Sequence, residues 1–95
     1  MAGYIIAEVE VTDPDKFEEY RKLVPETIAA YGGKYVVRGG TLETLEGEWN
    51  PKRLVILEFE SCERAKEWLN SKEYAPARKM RWESANTNVI VVEGL

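Results

Sequence analysis

Apolar and polar residues alternate along residues 4–11, YIIAEVEV, most clearly in the later half of that run. A strand with this period of two places Ile5, Ala7, Val9 and Val11 on one face, and Tyr4, Ile6, Glu8 and Glu10 on the other. The period then changes. In TDPDKFEEYRKLVPETIAAYGG, Phe17, Tyr20, Val24, Ile28 and Tyr31 recur at spacings of three or four, which is one buried stripe of a helix. Asp13 can cap the free amides of its first turn, Pro14 suits the first helical position, and Asp15 complements the positive end of the dipole. Gly32-Gly33 supplies a left-handed stop. Pro25 removes a backbone donor inside the pattern, which predicts a kink or two short helices meeting there.

Lys34 to Arg38 reads as a second strand and Arg53 to Phe59 as a third. Ser61 opens another helix with Ala65, Trp68 and Leu69 facing inward. Asn70-Ser71 breaks it, and Tyr74 to Ala85 continues as a further short helix with Pro76 in its first turn. Asn88 to Glu93 is a closing strand rich in β-branched residues. The order is β-α-β-β-α-β in a single domain spanning residues 1–95. Chain-crossing rules then favour a ferredoxin-like α+β fold, a four-stranded antiparallel sheet with its helices on one face.

Helices on one face leave the other bare. By alternation the bare face carries Tyr4, Ile6 and Glu8, then Val36 and Arg38, then Leu54, Ile56 and Glu58. An exposed patch of tyrosine and aliphatic residues marks an interface. Two such faces packed together would make a homodimeric α+β barrel with a partly polar interior. A chain this short buries only roughly two-thirds of its unfolded surface, so a subunit interface would add apolar burial that the monomer lacks.

Charge and composition narrow the partners. Lys and Arg total 13 against 17 Asp and Glu, a net charge of −4, which argues against a nucleic-acid partner. The apolar runs are too short to span a bilayer, and the N-terminal residues lack a secretory pattern. Cys62 is the lone cysteine and has no internal partner, which fits a reducing cytoplasm. The sequence contains no histidine. That removes the commonest general base, zinc ligand and proximal haem ligand together, so no metal or haem cofactor is expected.

Several of these residues fall into a longer pattern. Thr12-Asp13-Pro14, Tyr31-Gly32-Gly33, Arg38-Gly39-Gly40, Glu46-Gly47-Glu48-Trp49-Asn50-Pro51, Glu58-Phe59 and Glu73-Tyr74 occur in that order along nearly the whole chain. The sequence thereby resembles a family known only as a domain of unknown function, placed in the dimeric α+β barrel superfamily. The resemblance implies the ferredoxin-like fold, a face-to-face homodimer and no established activity. Wider relatives include antibiotic-biosynthesis monooxygenases, muconolactone isomerase, haem-degrading monooxygenases and stress-responsive barrel proteins, so fold alone does not select a chemistry. The haem-degrading members rely on an axial histidine that this chain lacks.

Arg38 and Glu58 are the first candidate pair. A bulge at Gly39-Gly40 would set Arg38 opposite Glu58 on the bare face, near Tyr4. Arg38 could then bind a substrate carboxylate or enolate while Glu58 moves a proton; alternatively the two form a cross-strand ion pair inside a dimer. Glu8 shares their face but lies at the other end of the strands, where it reads as a charged strand end near solvent. Trp49 and Arg53 make a second constellation, closing a ligand cavity or, for the tryptophan, packing on a partner subunit. Tyr74, Arg78 and Trp82, at helical spacing, read as a stacked face or as an anion pocket at the sheet rim. Two functions remain open on this reading. One is a small-molecule binding protein or cofactor-free enzyme for a carboxylated or aromatic metabolite, with Tyr4, Arg38, Trp49 and Arg53 binding and Glu58 catalytic. The other is a non-catalytic structural or stress-response dimerisation module.

Overall fold

The structure, a computed structural model, describes residues 1–95. Seven elements follow in the order β1 (Gly3–Val11), α1 (Pro14–Ala30), β2 (Lys34–Arg38), β3 (Leu54–Phe59), α2 (Cys62–Leu69), α3 (Ala75–Ser84) and β4 (Ala85–Glu93). The strands form one antiparallel sheet in the order β2-β3-β1-β4. This is the ferredoxin-like α+β arrangement, with the second helical segment split in two.

The local signals act where the sequence puts them. Asp13 accepts a hydrogen bond from the Lys16 amide at 3.2 Å, and Ser61 caps α2 by accepting one from the Arg64 amide at 3.1 Å. After α1, Gly32 takes φ +72°, and the Gly33 amide returns to the Ile28 carbonyl at 2.9 Å. Ser71 separates α2 from α3. Its hydroxyl donates to the Trp68 carbonyl and accepts from the Tyr74 amide. β4 begins at Ala85, earlier than its β-branched residues suggest, because α3 runs directly into it and the Ser84 carbonyl takes the Thr12 and Asp13 amides.

Pro25 neither ends α1 nor divides it; one helix runs from Pro14 to Ala30. A proline in mid-helix leaves the carbonyl four residues earlier without its amide partner. That carbonyl belongs to Arg21, and Arg38 Nη2 donates to it across 3.4 Å. A side chain from the sheet thus occupies the place that the proline opens in the helix.

The core lies between the sheet and the three helices. Ile5, Val24, Ile28, Leu57, Phe59, Ala65, Trp68, Tyr74 and Ala77 form its larger cluster, and Val9, Phe17 and Ala85 a smaller one. Each large apolar side chain so buried contributes roughly 1.5–3 kcal/mol. On the far side of the sheet, register aligns Tyr4, Ile6 and Glu8 with Glu58, Ile56 and Leu54 of β3 and with Val92, Ile90 and Asn88 of β4. No helix covers that face, and Val36, Ile90 and Val92 stand about half exposed at 50%, 59% and 45%.

One expectation about this register is overturned. The irregularity in β2 falls between Tyr35 and Val37, with Tyr35 opposite Leu57 and Val37 opposite Ile56. Val36, not the Gly39-Gly40 pair, is the extra residue. Because side chains alternate, a bulge that precedes Arg38 reverses the face of everything after it. Arg38 pairs with Val55 instead of Glu58 and lies on the helix side of the sheet, while Lys34 sits opposite Glu58.

Candidate functional site

Between the sheet and the helices is a small cavity of about 50 Å3, lined from both core clusters. Ile5, Val9, Val55 and Leu57 form its sheet wall, and Phe17, Val24, Trp68 and Leu69 part of its helical wall. Four arginines also line it: Arg21 from α1, Arg38 from β2, Arg53 just before β3, and Arg81 from α3. No aspartate or glutamate does.

Three of the arginines gather at the mouth. Arg38 lies over the Tyr35 ring at 4.5 Å and reaches the Arg21 carbonyl. Arg53 approaches the Phe17 ring at 5.7 Å. Its guanidinium fills the space that a Cβ on Gly39 would need, and Gly39 has φ +70°, so a side chain there would be both strained and obstructed. The first glycine after Arg38 therefore brings a second arginine alongside. Its amide bonds to the Leu54 carbonyl at 2.9 Å, which continues the β2–β3 ladder past the strand end.

The inner end is built from α1 and α3. The Tyr20 and Tyr74 hydroxyls share a hydrogen bond of 2.7 Å. Tyr74 is 1% exposed and stacks on Trp68 with ring centroids 4.2 Å apart. Trp68 is fixed in turn by donating its indole N–H to Thr27 at 3.0 Å. Arg81 is 7% exposed and donates through Nη1 to Thr87 Oγ1 at 2.6 Å.

The electrostatics of the cavity are one-sided. Burial pushes the Tyr20, Tyr74 and Tyr35 hydroxyls above the usual tyrosine range, so all three stay protonated at neutral pH. Burial, followed by repulsion from Arg21 and Arg38, lowers the pKa of Arg53. Arg21 pairs with Glu18 at 2.8 Å, whereas Arg38, Arg53 and Arg81 make no salt bridge. Three buried side-chain polar atoms in the protein lack a hydrogen-bond partner: Nε of Arg21, of Arg53 and of Arg81. All three residues line this one cavity. It is rich in donors and poor in acceptors, and no side chain in its lining can serve as a base at neutral pH.

The residues singled out from sequence divide between the two faces of the sheet. Arg38 and Arg53 meet at the cavity mouth. Tyr4 and Glu58 are cross-strand neighbours on the bare face, with the sheet between them and the cavity. Glu58 has Lys34 at 3.9 Å, and Lys34 is 70% exposed, so this pair adds little. An ion pair across the strands is present, with a lysine in place of Arg38. Trp49 parts from Arg53: its indole Nε1 donates to Glu8 Oε2 at 2.8 Å on the bare-face side. Arg78 stacks on Trp82 at 5.4 Å, outside the cavity. No group of three or more His, Cys, Asp or Glu side chains is gathered that could hold a metal ion.

The clasp between Trp49 and Glu8 has a measurable signature. Hydrogen bonds from Trp49, then from Asn88, hold the Glu8 carboxyl below the usual range. A lowered pKa means that the stabilisation is complete above the ordinary value and is lost as pH falls through the lowered one. The Trp49 indole N–H resonance should accordingly shift with a midpoint below the ordinary glutamate value. A midpoint at the ordinary glutamate value would mean that the clasp is not formed.

Arg21, Arg81, Tyr20 and Tyr74 meet in one site that the sequence pattern does not bring together. The buried face of α3 runs through Tyr74, Ala77, Arg81 and Ser84, not through Tyr74, Arg78 and Trp82. Spacings of three, four and three were there to be read, but an arginine and a serine on a helix read as solvent positions, and Trp82 drew the stripe outward although it is 63% exposed.

A ferredoxin-like α+β chain with an arginine-lined cavity beneath its helices is the class that fold and site define. Solved structures share this fold. A protein of unknown function from Rhodopseudomonas palustris matches with a TM-score of 0.77 at 20% identity, over 99% of this chain and 82% of its own. A candidate antibiotic biosynthesis monooxygenase from Nitrosomonas europaea matches at 0.61 and 17% identity, over 100% and 99%. SnoaB, a cofactor-independent oxygenase from Streptomyces nogalater, matches at 0.58 and 12% identity, over 99% and 93%. At these identities the likeness is one of fold. No curated protein matches the sequence. The chain belongs to the family described as Domain of unknown function (DUF1330), which it matches over residues 2–95.

Proposed function

We propose that this protein binds, or transforms without metal or haem, a small carboxylated or aromatic acid in the cavity between its sheet and helices. One observation carries the reading: the three unpartnered buried side-chain nitrogens all belong to arginines of a single apolar cavity that contains no carboxylate. An anion would supply the acceptors these donors lack and relieve the repulsion among Arg21, Arg38 and Arg53. Arg38 and Arg53 would hold it, their forks suiting a planar anion. A reaction in this cavity would start from a ligand that arrives ionised, because the lining offers charge stabilisation and no base.

The bare face of the sheet supports a second part of the proposal, a face-to-face homodimer. Tyr4, Ile6, Ile56, Ile90, Val36 and Val92 would form its apolar centre, with Glu58, Lys34 and Trp49 nearer the rim. Glu58 and Tyr4 belong on this reading to the subunit contact, not to the ligand. No helix is long and apolar enough to cross a membrane, and Cys62 is unpaired, in keeping with a reducing cytoplasm.

A thermal-shift screen of small carboxylates and phenolates tests the ligand. Selective binding to the folded state should raise the melting temperature with ligand concentration, and Arg38→Met should diminish the rise. If no acid in a broad set moves it, the arginines are satisfied by water and the dimerisation-module reading takes its place.

A further inference from the structure

The polar groups of the cavity lie at two depths, and their separation says more about the ligand than its charge. Arg38 is exposed and Arg21 and Arg53 are half-buried, so these guanidiniums form an outer group facing the entrance. Arg81 and Tyr74 are more than nine-tenths buried, and with Tyr20 they form an inner group. Between the two groups the lining is aliphatic and aromatic.

The inner group is not a self-contained structural knot. Thr87 takes one nitrogen of Arg81 and orients the fork, yet Nε is left with no partner. The tyrosine hydroxyls satisfy each other only in part. Whichever of the two donates across the 2.7 Å bond, the other keeps a hydrogen still free to be given. A guanidinium N–H and a hydroxyl hydrogen are therefore both available at the closed end of an otherwise apolar chamber. Leaving a buried donor unsatisfied is costly, and pairing it with an acceptor recovers that cost.

Resting on the anion-binding reading above, we infer that the ligand is a short bifunctional acid. One carboxylate sits on Arg38 and Arg53 at the mouth, and a second acceptor oxygen, a keto, hydroxyl or further carboxylate group, meets Arg81 and the Tyr20–Tyr74 pair within. The class is the short oxo acids, hydroxy acids and dicarboxylic acids. The size of the chamber agrees with this. At about 50 Å3 it is far below the roughly 300–1,000 Å3 of sites for drug-sized ligands, which leaves space for a short carbon chain between the poles.

Three acids of equal carbon number separate the possibilities: butyrate, with one polar end, and 2-oxobutyrate and succinate, each with a second acceptor. Calorimetric titration of the wild-type protein should show at least one of the bifunctional acids binding about tenfold or more tightly than butyrate. That advantage should fall to about twofold or less in Arg81→Met, whereas Arg53→Met should weaken every acid that binds. Arg81 is deeply buried, so if Arg81→Met does not fold, the Tyr20→Phe/Tyr74→Phe double variant, which keeps the ring packing, should show the same collapse. Equal binding of all three acids to the wild type would overturn the inner pole and leave the anion-binding proposal standing. So would an advantage that survives both variants. Failure of these acids, when other carboxylates or phenolates bind in the wider screen, overturns the ligand class alone. Failure of every acid overturns both.

Discussion

Exchange of Arg53 for methionine should make the protein more stable and less able to bind. The side chain now carries a charge that burial and two neighbouring arginines oppose, with a buried Nε left unpaired and no salt bridge. Methionine retains the apolar stem against Phe17 and the space beside Gly39, and removes the desolvation and the repulsion. Because the group is partly open to solvent, screening reduces the gain to about 1 kcal/mol, a rise of roughly 5 °C in melting temperature for a domain of this size. The same change deletes a charge-assisted hydrogen bond to an anion. Affinity for the acid giving the largest thermal shift should fall about tenfold to a hundredfold. Scanning calorimetry without ligand and titration with it measure the two halves separately. A ligand-free variant less stable than the parent would make Arg53 a structural tie and not a binding group.

A charge placed in the middle of the bare sheet face should separate the subunits without unfolding them. Ile90 is 59% exposed in the single chain and points away from the core, so Ile90→Asp removes little internal packing. In a face-to-face dimer the symmetry buries two such carboxylates near each other, each unpaired. At several kcal/mol of penalty the dimer should weaken about a thousandfold or more. Analytical ultracentrifugation should find twice the 10.9 kDa chain mass for the parent and the single mass for the variant, with the far-ultraviolet dichroism alike. A variant that stays dimeric would move the interface to another surface.

The architecture was open to reading from sequence because its signals are local and mutually consistent. Alternation in β1, the Asp13 and Ser61 caps and the Gly32-Gly33 stop each specify a boundary that holds in three dimensions. The pairing of Arg38 with Arg53 was harder. It follows from a bulge at Val36, inside KYVVR, where every residue is an acceptable strand former and none advertises an irregularity. Glycines draw attention to bulges, and here Gly39 has another task, giving way to a guanidinium. Non-local packing decides the register: Tyr35 belongs under the helices beside Leu57, and Arg38 belongs under α1, where Pro25 has left a carbonyl free. The same limit hid Arg81. An arginine in the buried stripe of a helix breaks the hydrophobic pattern by which stripes are found, and its hydrogen-bond partner, Thr87, lies on β4.

The bulge at Val36 also makes the two surfaces of the sheet depend on how one residue is paired. The strand serves both surfaces of the sheet, Lys34 on one side and Tyr35 and Arg38 on the other. Were Val36 paired within the ladder instead of bulged, alternation would run unbroken and Arg38 would move from opposite Val55 to opposite Leu54, from the chamber to the bare face. Within this fold, the choice between a chamber-facing and an outward-facing arginine thus hinges on whether one valine is bulged or paired, with no change in the identity of the arginine itself.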